Sequence, residues 1–211
     1  MEQGNIVALL GIAVTEPEER DGINGTNIKC SHIAIETERK SGAKDLAEVF
    51  ITDKTKQELL PFTKGLPVMV MGKMQTCKDF KTQHVLTFVQ ADYIGVVSGK
   101  SWEMQNDIKL RGKLGKGIAY RTRNSGKRIT TIMLETDSVY RANTKCFIPC
   151  ICWQAAADKV KDWQVGDEVE LSGRLQSRDF TKHLEDGTSI ERTSYEVSIF
   201  NIQKVTERQQ E

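Results

Sequence analysis

The sequence predicts a mainly β protein built as two tandem five-stranded barrels, each with one short helix between its third and fourth strands. Three observations carry this reading. From Gly166 to Phe180 the chain alternates strictly, with Val169, Leu171, Gly173 and Leu175 on one face and Glu168, Glu170, Ser172 and Arg174 on the other. Period two is the mark of a strand with one buried face. A near copy of this string runs from Gly65 to Phe80. Finally, Gly11 matches Gly112, Phe62 matches Trp163, Gly65 matches Gly166 and Gly72 matches Gly173, all at a spacing of 101. A period of that length is too long for a solenoid repeat and indicates duplication of a whole domain.

Taken in order, the first copy opens with a strand over Ile6–Val14, followed by a turn-rich segment, and a second strand from Ile28 to Glu36. Arg39 to Lys44 reads as a loop around Gly42. Glu48–Thr52 is a short third strand, after which Asp53 is placed to cap a helix running to about Leu60, stopped by Pro61 and Gly65. Val68–Gln75 and Val85–Ile94 supply the last two strands. The second copy repeats this order, with Ile35-Glu36-Thr37 paralleled by Leu134-Glu135-Thr136. Ile94 is matched with Val205 at a spacing of 111, which puts about ten extra residues into a loop over Thr181–Thr193. The expected domains are 1–96 and 107–206, joined by a linker over 97–106 and followed by a short tail, 207–211. Trp102 in the linker is expected to pack on a barrel. Five short strands with a helix between the third and fourth fit the OB-fold, a Greek-key barrel that binds oligonucleotides on one face and two loops.

Composition narrows the function classes. The 211 residues are 28% charged and 38% hydrophobic, ordinary for a globular protein, and the net charge of +1 names no partner. Its distribution does: residues 101–145 hold 10 Lys/Arg against 4 Asp/Glu. No run approaches the roughly 18 apolar residues of a membrane span, so no membrane partner is expected. The apolar run at Ile6 follows Glu2 without a basic flank, so it reads as a strand and not as a leader. Five cysteines without a leader indicate free thiols in a reducing cytoplasm.

The ordered series Gly11, Glu16-Pro17-Glu18, Gly25 and Ile33-Ala34-Ile35-Glu36-Thr37, and then Trp163 to Phe180 with Tyr195-Glu196-Val197, resembles the bacterial single-stranded DNA-binding protein (SSB) family, here in a tandem OB-fold version. The resemblance covers roughly 5–95 and 107–206. It implies sequence-nonspecific binding of single-stranded DNA in replication, recombination or repair, by a protein that is not an enzyme. It implies base stacking at four aromatic positions, which the second copy fills with Tyr140, Phe147, Trp153 and Phe180. The first copy has Ser41, Leu46 and Thr52 at three of these positions and keeps only Phe80. Family members usually work with four barrels, so a chain with two is expected to form a homodimer, with replication or repair proteins as further partners. Those members end in an acidic tail. This chain ends Val205 to Glu211 without one, so recruitment through such a tail is not expected.

The residues read on their own terms agree. Phe147 and Trp153, six apart, share a strand face opposite Cys146, Ile148, Cys150 and Cys152. Exposed aromatics stack on any base at about 1–3 kcal/mol each. The alternative for Trp153 is a core or subunit contact, and Pro149 implies an edge or bulge in this strand. Lys109, Arg111, Lys113, Lys116, Arg121, Arg123, Lys127 and Arg128, joined by Arg174 and Arg178, are candidates for a phosphate track, against the alternative of a solvated loop. Phe180 and Arg178 are expected at the tip of a hairpin. Met69, Met71 and Met74 read as core filling, with an intersubunit surface as the alternative. The cysteines lack the paired knuckles of a zinc site, no cofactor is indicated, and no phosphate-cradling loop or nucleophile elbow is present. The competing function is an interaction module, similar to primosomal accessory proteins, that bridges protein partners with little DNA binding of its own.

Overall fold

The computed structural model describes residues 4–20, 28–58, 63–78, 84–99, 101–183 and 187–205. Its first half holds β1 (Asn5–Ala13), β2 (Glu18–Arg20), β3 (Cys30–Glu38), β4 (Lys44–Thr52), β5 (Lys56–Glu58), β6 (Pro67–Lys78) and β7 (Val85–Val96). Its second half holds β8 (Gln105–Leu114), β9 (Ala119–Thr122), β10 (Arg128–Asp137), β11 (Lys145–Trp153), α1 (Ala155–Val160), β12 (Glu168–His183) and β13 (Ser189–Lys204). The protein is thus mainly β, and among the described residues α1 is its one helix.

The strands form one continuous sheet. In the first half the pairings run β1–β3–β4–β7–β6 and return to β1. In the second they run β8–β10–β11–β13–β12 and return to β8. The two circuits join where β1 and β8 pair antiparallel, with Val7 opposite Ile108. Those two residues are counterparts at the spacing of 101, so an approximate two-fold axis passes through the pair. The buried faces of β1 and β8 (Val7, Leu9, Ile108, Leu110) feed a single hydrophobic core that runs through both halves.

Side chains repeat this symmetry. Asn5 Nδ2 donates to Met74 O and its Oδ1 accepts from Met74 N, both at 2.8 Å. Asn106 does the same to Leu175, at 2.9 and 2.8 Å. Each asparagine acts as a surrogate strand residue where the ladder of its own strand has run out. Across the halves, Phe147 N donates to Thr76 Oγ1 (3.1 Å) and Leu46 N to Ser177 Oγ (2.8 Å). These too are counterpart pairs. The recurring glycines have the same steric basis in both copies: a Cβ at Gly72 would meet Gln90 O at 2.2 Å, and one at Gly173 would meet Ser198 O at 2.3 Å. Both sit at a register shift in the strand pair.

Several expectations are corrected. No helix forms over 53–58. Thr55 is buried and its hydroxyl accepts from Thr52 N (3.0 Å) and donates to Ala91 O (2.8 Å), tying the turn back on itself, a local bond that competes with helix formation. Lys56–Glu58 then pairs parallel with β7; Leu59 and Leu60 lie outside the described residues. In the second half Ala155-Ala156-Ala157 favours a helix, and Ala157 and Val160 anchor it in the core. The segment Thr181–Thr193 is not simply a loop. β12 continues to His183 and β13 begins at Ser189, with Thr181 Oγ1 donating to Glu191 (2.6 Å) and Thr193 Oγ1 to Asp179 (2.7 Å) across the ribbon. Arg178 and Phe180 are therefore mid-ribbon and not at its tip. Ile94 lies opposite Val70 and Ile202 opposite Leu171, so Ile94 corresponds to Ile202 and not to Val205. The spacing is 108, which leaves seven extra residues and not ten. Pro149 breaks nothing: Phe147 N points away from β10 toward Thr76, and Pro149, two residues on, has the same orientation and costs β10 no hydrogen bond. Met74 is in the core, whereas Met69 and Met71 are exposed on the outer face. Trp102 is half-buried.

Asn106→Ala removes both bonds to Leu175 and a third to Thr37 Oγ1. The expected loss is about 2–3 kcal/mol, a fall in Tm of roughly 4–12 °C for a chain of this size. Calorimetry of the unaltered protein should show one unfolding transition, because the halves share a seam and a core; two resolved transitions would contradict this.

Candidate nucleic-acid interface

On β11 the residues Cys146, Ile148, Cys150 and Cys152 are buried in the interior, and Phe147 and Trp153 lie on the other face. Phe147 is 44% exposed. It stands opposite Glu135, which is in turn opposite Lys113. Further along the face, Trp153, Ile129 and Arg121 form a row across β11, β10 and β9. Trp153 Nε1 donates to Ser198 Oγ (3.1 Å), and the Arg123 guanidinium lies 5.8 Å from its ring centroid. One ring edge is thereby fixed and one face shared with a cation. The same face continues onto the β12–β13 ribbon, where Phe180 is 38% exposed, pairs with Arg192 and is two residues from Arg178.

Of the cations predicted from sequence, Lys109, Lys113, Lys116, Arg121, Arg123, Lys127 and Arg178 are exposed. No ion pair engages these seven among the described residues. Arg111 is bonded to Glu168 (2.7 Å) and approaches Glu170 (3.6 Å), and Arg128 pairs with Asp158 (3.2 Å). Arg174 is half-buried, 3.9 Å from Asp45 and with its guanidinium 5.3 Å from the Phe200 centroid. Lys109 and Arg111 lie along β8 beside Ile6 and Glu170, lining a separate hollow. Phe80 lies outside the described residues.

Tyr140 has a different position. It follows β10 in the second half, but its ring packs on a cluster of the first half made of Cys30, Phe50, Cys77 and Phe88, 6.2 Å from the Phe88 centroid. Its hydroxyl donates to Gln90 Oε1, and burial pushes its pKa well above the ordinary phenol value. The cluster occupies the face of β4 that corresponds to the Phe147–Trp153 face of β11. Phe50 is only 3% exposed there, and Phe88, edge-on to it at 4.4 Å, is fully buried. The first half's equivalent face is thus covered in part by the second half.

Between the halves lies a cleft of about 740 Å³. Met133 and Pro149 of the second half's face line it, as do Arg178, Phe180 and Arg192 of the ribbon, with Arg20 and Phe50 from the first half. Sequence reading missed Arg20, Met133 and Arg192. Arg192 becomes visible only once the ribbon register sets it opposite Phe180. Two carboxylates also line the cleft. Glu196 accepts from Gln176 Nε2 (3.2 Å). Glu48 accepts from Tyr195 (2.7 Å) and is bonded to His32. Burial works against ionisation of Glu48, but the bonds from His32 and Tyr195, with the charges of His32 and Arg20, outweigh it and hold its pKa below the ordinary carboxylate value.

The cysteines offer no chemistry of their own: all five are free and buried, and burial alone pushes the Cys152 thiol up to about 12. Among the described residues no group of His, Cys, Asp and Glu is placed to hold a metal ion, and no helix is long and apolar enough to cross a membrane.

The lowered pKa of Glu48 has a signed consequence. A depressed folded-state pKa contributes stability that is complete above the unfolded value, roughly pH 4.3, and is lost as pH falls through the folded value. Glu48→Gln should therefore flatten the acid limb of stability against pH while leaving its shape above about pH 6 unchanged. Equal acid sensitivity of the two proteins in urea melts between pH 3 and 6 would exclude this role.

No curated protein sequence matches the chain. Among solved structures, the wild-type single-stranded DNA binding protein from Thermus aquaticus superposes with a TM-score of 0.73 at 16% identity, over 98% of this chain and 95% of that one. A deletion mutant of the same protein gives 0.70 at 17%, over 97% and 95%. Identities this low establish a shared fold. The model of the single-strand binding protein family matches residues 105–205, the part that carries Phe147, Trp153, Phe180 and the basic run. Over those residues the chain is similar to the single-strand binding protein family.

Proposed function

We propose that this protein binds single-stranded DNA without sequence preference, in replication, recombination or repair, and that the second half does most of the binding. The observation that carries the reading is the outer face of β11 and the β12–β13 ribbon. Phe147 is exposed there although the opposite face of β11 is fully buried, Phe180 is exposed on the ribbon, and unpaired cations border them. Aromatic faces bind bases of any kind, and the cations take the phosphates. The match of residues 105–205 to the single-strand binding protein family supports the same conclusion, as does the fold shared with the Thermus aquaticus protein. Trp153 stacks through the ring face that Arg123 leaves free, its edge held by Ser198. Tyr140 contributes by closing the first half and not by open stacking. The phosphate track is centred on Lys113, Lys116, Arg121, Arg123, Lys127 and Arg178. Lys109 lies further along β8, and Arg111, Arg128 and Arg174 already have carboxylate partners.

Each closed circuit of strand pairing is read as one OB-fold barrel, giving domains over 1–96 and 107–206 with the segment 97–106 between them. Two chains then supply four barrels as a homodimer. The protein acts by binding and not by catalysis.

Oligo(dT) should quench the tryptophan fluorescence, with affinity falling with salt at a slope of about −0.7 per phosphate neutralised. Phe147→Ala and Phe180→Ala should each cost about 1–3 kcal/mol, a loss of roughly 5- to 150-fold. Equal affinity for duplex, or no binding of oligo(dT), would overturn the reading, and loss of a protein partner alone in these variants would favour the interaction module. Light scattering should report a dimer.

A further inference from the structure

We propose that Arg20 of the first half forms the far wall of the strand-binding site, so that one single-stranded oligonucleotide bound on the second half's face also touches the first half. This rests on the DNA-binding reading of the Phe147–Phe180 face. The two halves are unequal in what they offer a strand. The first half's own equivalent face is covered, with Phe50 and Phe88 buried beneath the ring of Tyr140. What the first half presents toward the second half's face is one wall of the cleft, opposite Pro149 and Phe180.

Arg20 is the arginine of that wall. It ends the short edge strand β2, is exposed, and lies with its guanidinium 5.6 Å from the Phe50 centroid. No ion pair engages it among the described residues. Facing it across the cleft are Arg178 and Arg192, which flank Phe180 on one face of the ribbon. Three guanidiniums thus surround an aromatic platform in a cleft wide enough for a nucleotide. Two carboxylates also line the cleft, Glu48 bonded to His32 and Tyr195 and Glu196 to Gln176, so the three guanidiniums outnumber them. A strand running over Phe180 would bring its backbone phosphates between the ribbon arginines and Arg20. The guanidinium, already stacked on Phe50, is oriented for a phosphate, which suits its planar fork.

The test uses the full chain and oligo(dT), with tryptophan quenching followed across a salt series. Arg20→Ala should weaken binding several-fold and reduce the salt slope by about 0.7, the loss of one phosphate contact on a single strand. Arg20→Glu should weaken it further, and Arg20→Lys should restore the slope. Because Arg20 is exposed, its variants should keep the fold, which circular dichroism checks. Wild-type affinity and slope in Arg20→Ala and Arg20→Glu, with Phe147→Ala still impaired, would overturn this proposal and leave the reading of the face intact. Failure of the unaltered protein to bind oligo(dT) would remove both.

Discussion

The antiparallel pairing of β1 with β8 about Val7 and Ile108 is the constraint on which the rest of the molecule depends. Each of these strands is already bonded within its own half, to β6 and β3 or to β12 and β10. Pairing them with each other removes the last long edge from the centre of the sheet, where an open ladder would recruit other chains. The edge strands that remain among the described residues include β2, β5 and β9, of three, three and four residues, all exposed and carrying charge. The seam also sets the geometry beside it. With Val7 held opposite its own counterpart, the asparagine clamps and the crossed bonds from Phe147 to Thr76 and Leu46 to Ser177 follow in matched pairs. The cleft follows as well, since its two walls belong to different halves of a fixed pair.

Within that near-symmetric frame the two copies have diverged in which face they leave open. At the positions corresponding to Phe147 and Trp153 the first copy has Leu46 and Thr52, and its aromatic residues Phe50 and Phe88 have turned into an interface core. Tyr140 seals that core from the opposite copy, with its hydroxyl on Gln90. Polar bonds at the seam diverge in the same way. Asp45, 1% exposed, is held by Arg39 at 2.6 Å and by Ser177 N at 3.0 Å. At its counterpart position Cys146 donates to Gln75 Oε1 at 3.2 Å. A charge held by two arginines and a backbone N–H on one side is answered by a thiol on the other. One half serves as support and wall, and the other keeps an exposed aromatic face.

Much of this was legible in the residues. The alternation from Glu168 to Leu175 requires a half-buried strand wherever it lies, and Val169, Leu171 and Leu175 are in the core. The glycine anchors recur because a Cβ at Gly72 or Gly173 would collide with a carbonyl, a steric demand that belongs to the backbone and survives duplication. Parity within β11 separates the cysteines from Phe147 because strand geometry is local. Illegible were features set by what lies opposite. The stretch after Asp53 has an N-cap and two leucines, but a buried threonine bonded to Thr52 N and to Ala91 O of β7 overrides them. The segment 181–193 is polar enough to read as loop, yet cross-strand hydroxyl–carboxylate bonds extend a ribbon through most of it. Tyr140 occupies the same place in the chain as an open stacking residue would, and nothing local reveals that the other half covers it.

By itself, then, the sequence determined the class of fold, the duplication, and the aromatic and basic residues proposed to meet a single strand. These depend on period, on excluded volume at single positions, and on side-chain type, all of which act within a few residues. Only the tertiary structure decided that the two copies share one sheet and one core, that the first copy's face is covered, and that Arg20 and Arg192 line one cleft with Phe180. Those outcomes depend on strand register and on contacts more than a hundred residues apart. The free energy of such contacts belongs to pairs of distant surfaces and is absent from either segment alone.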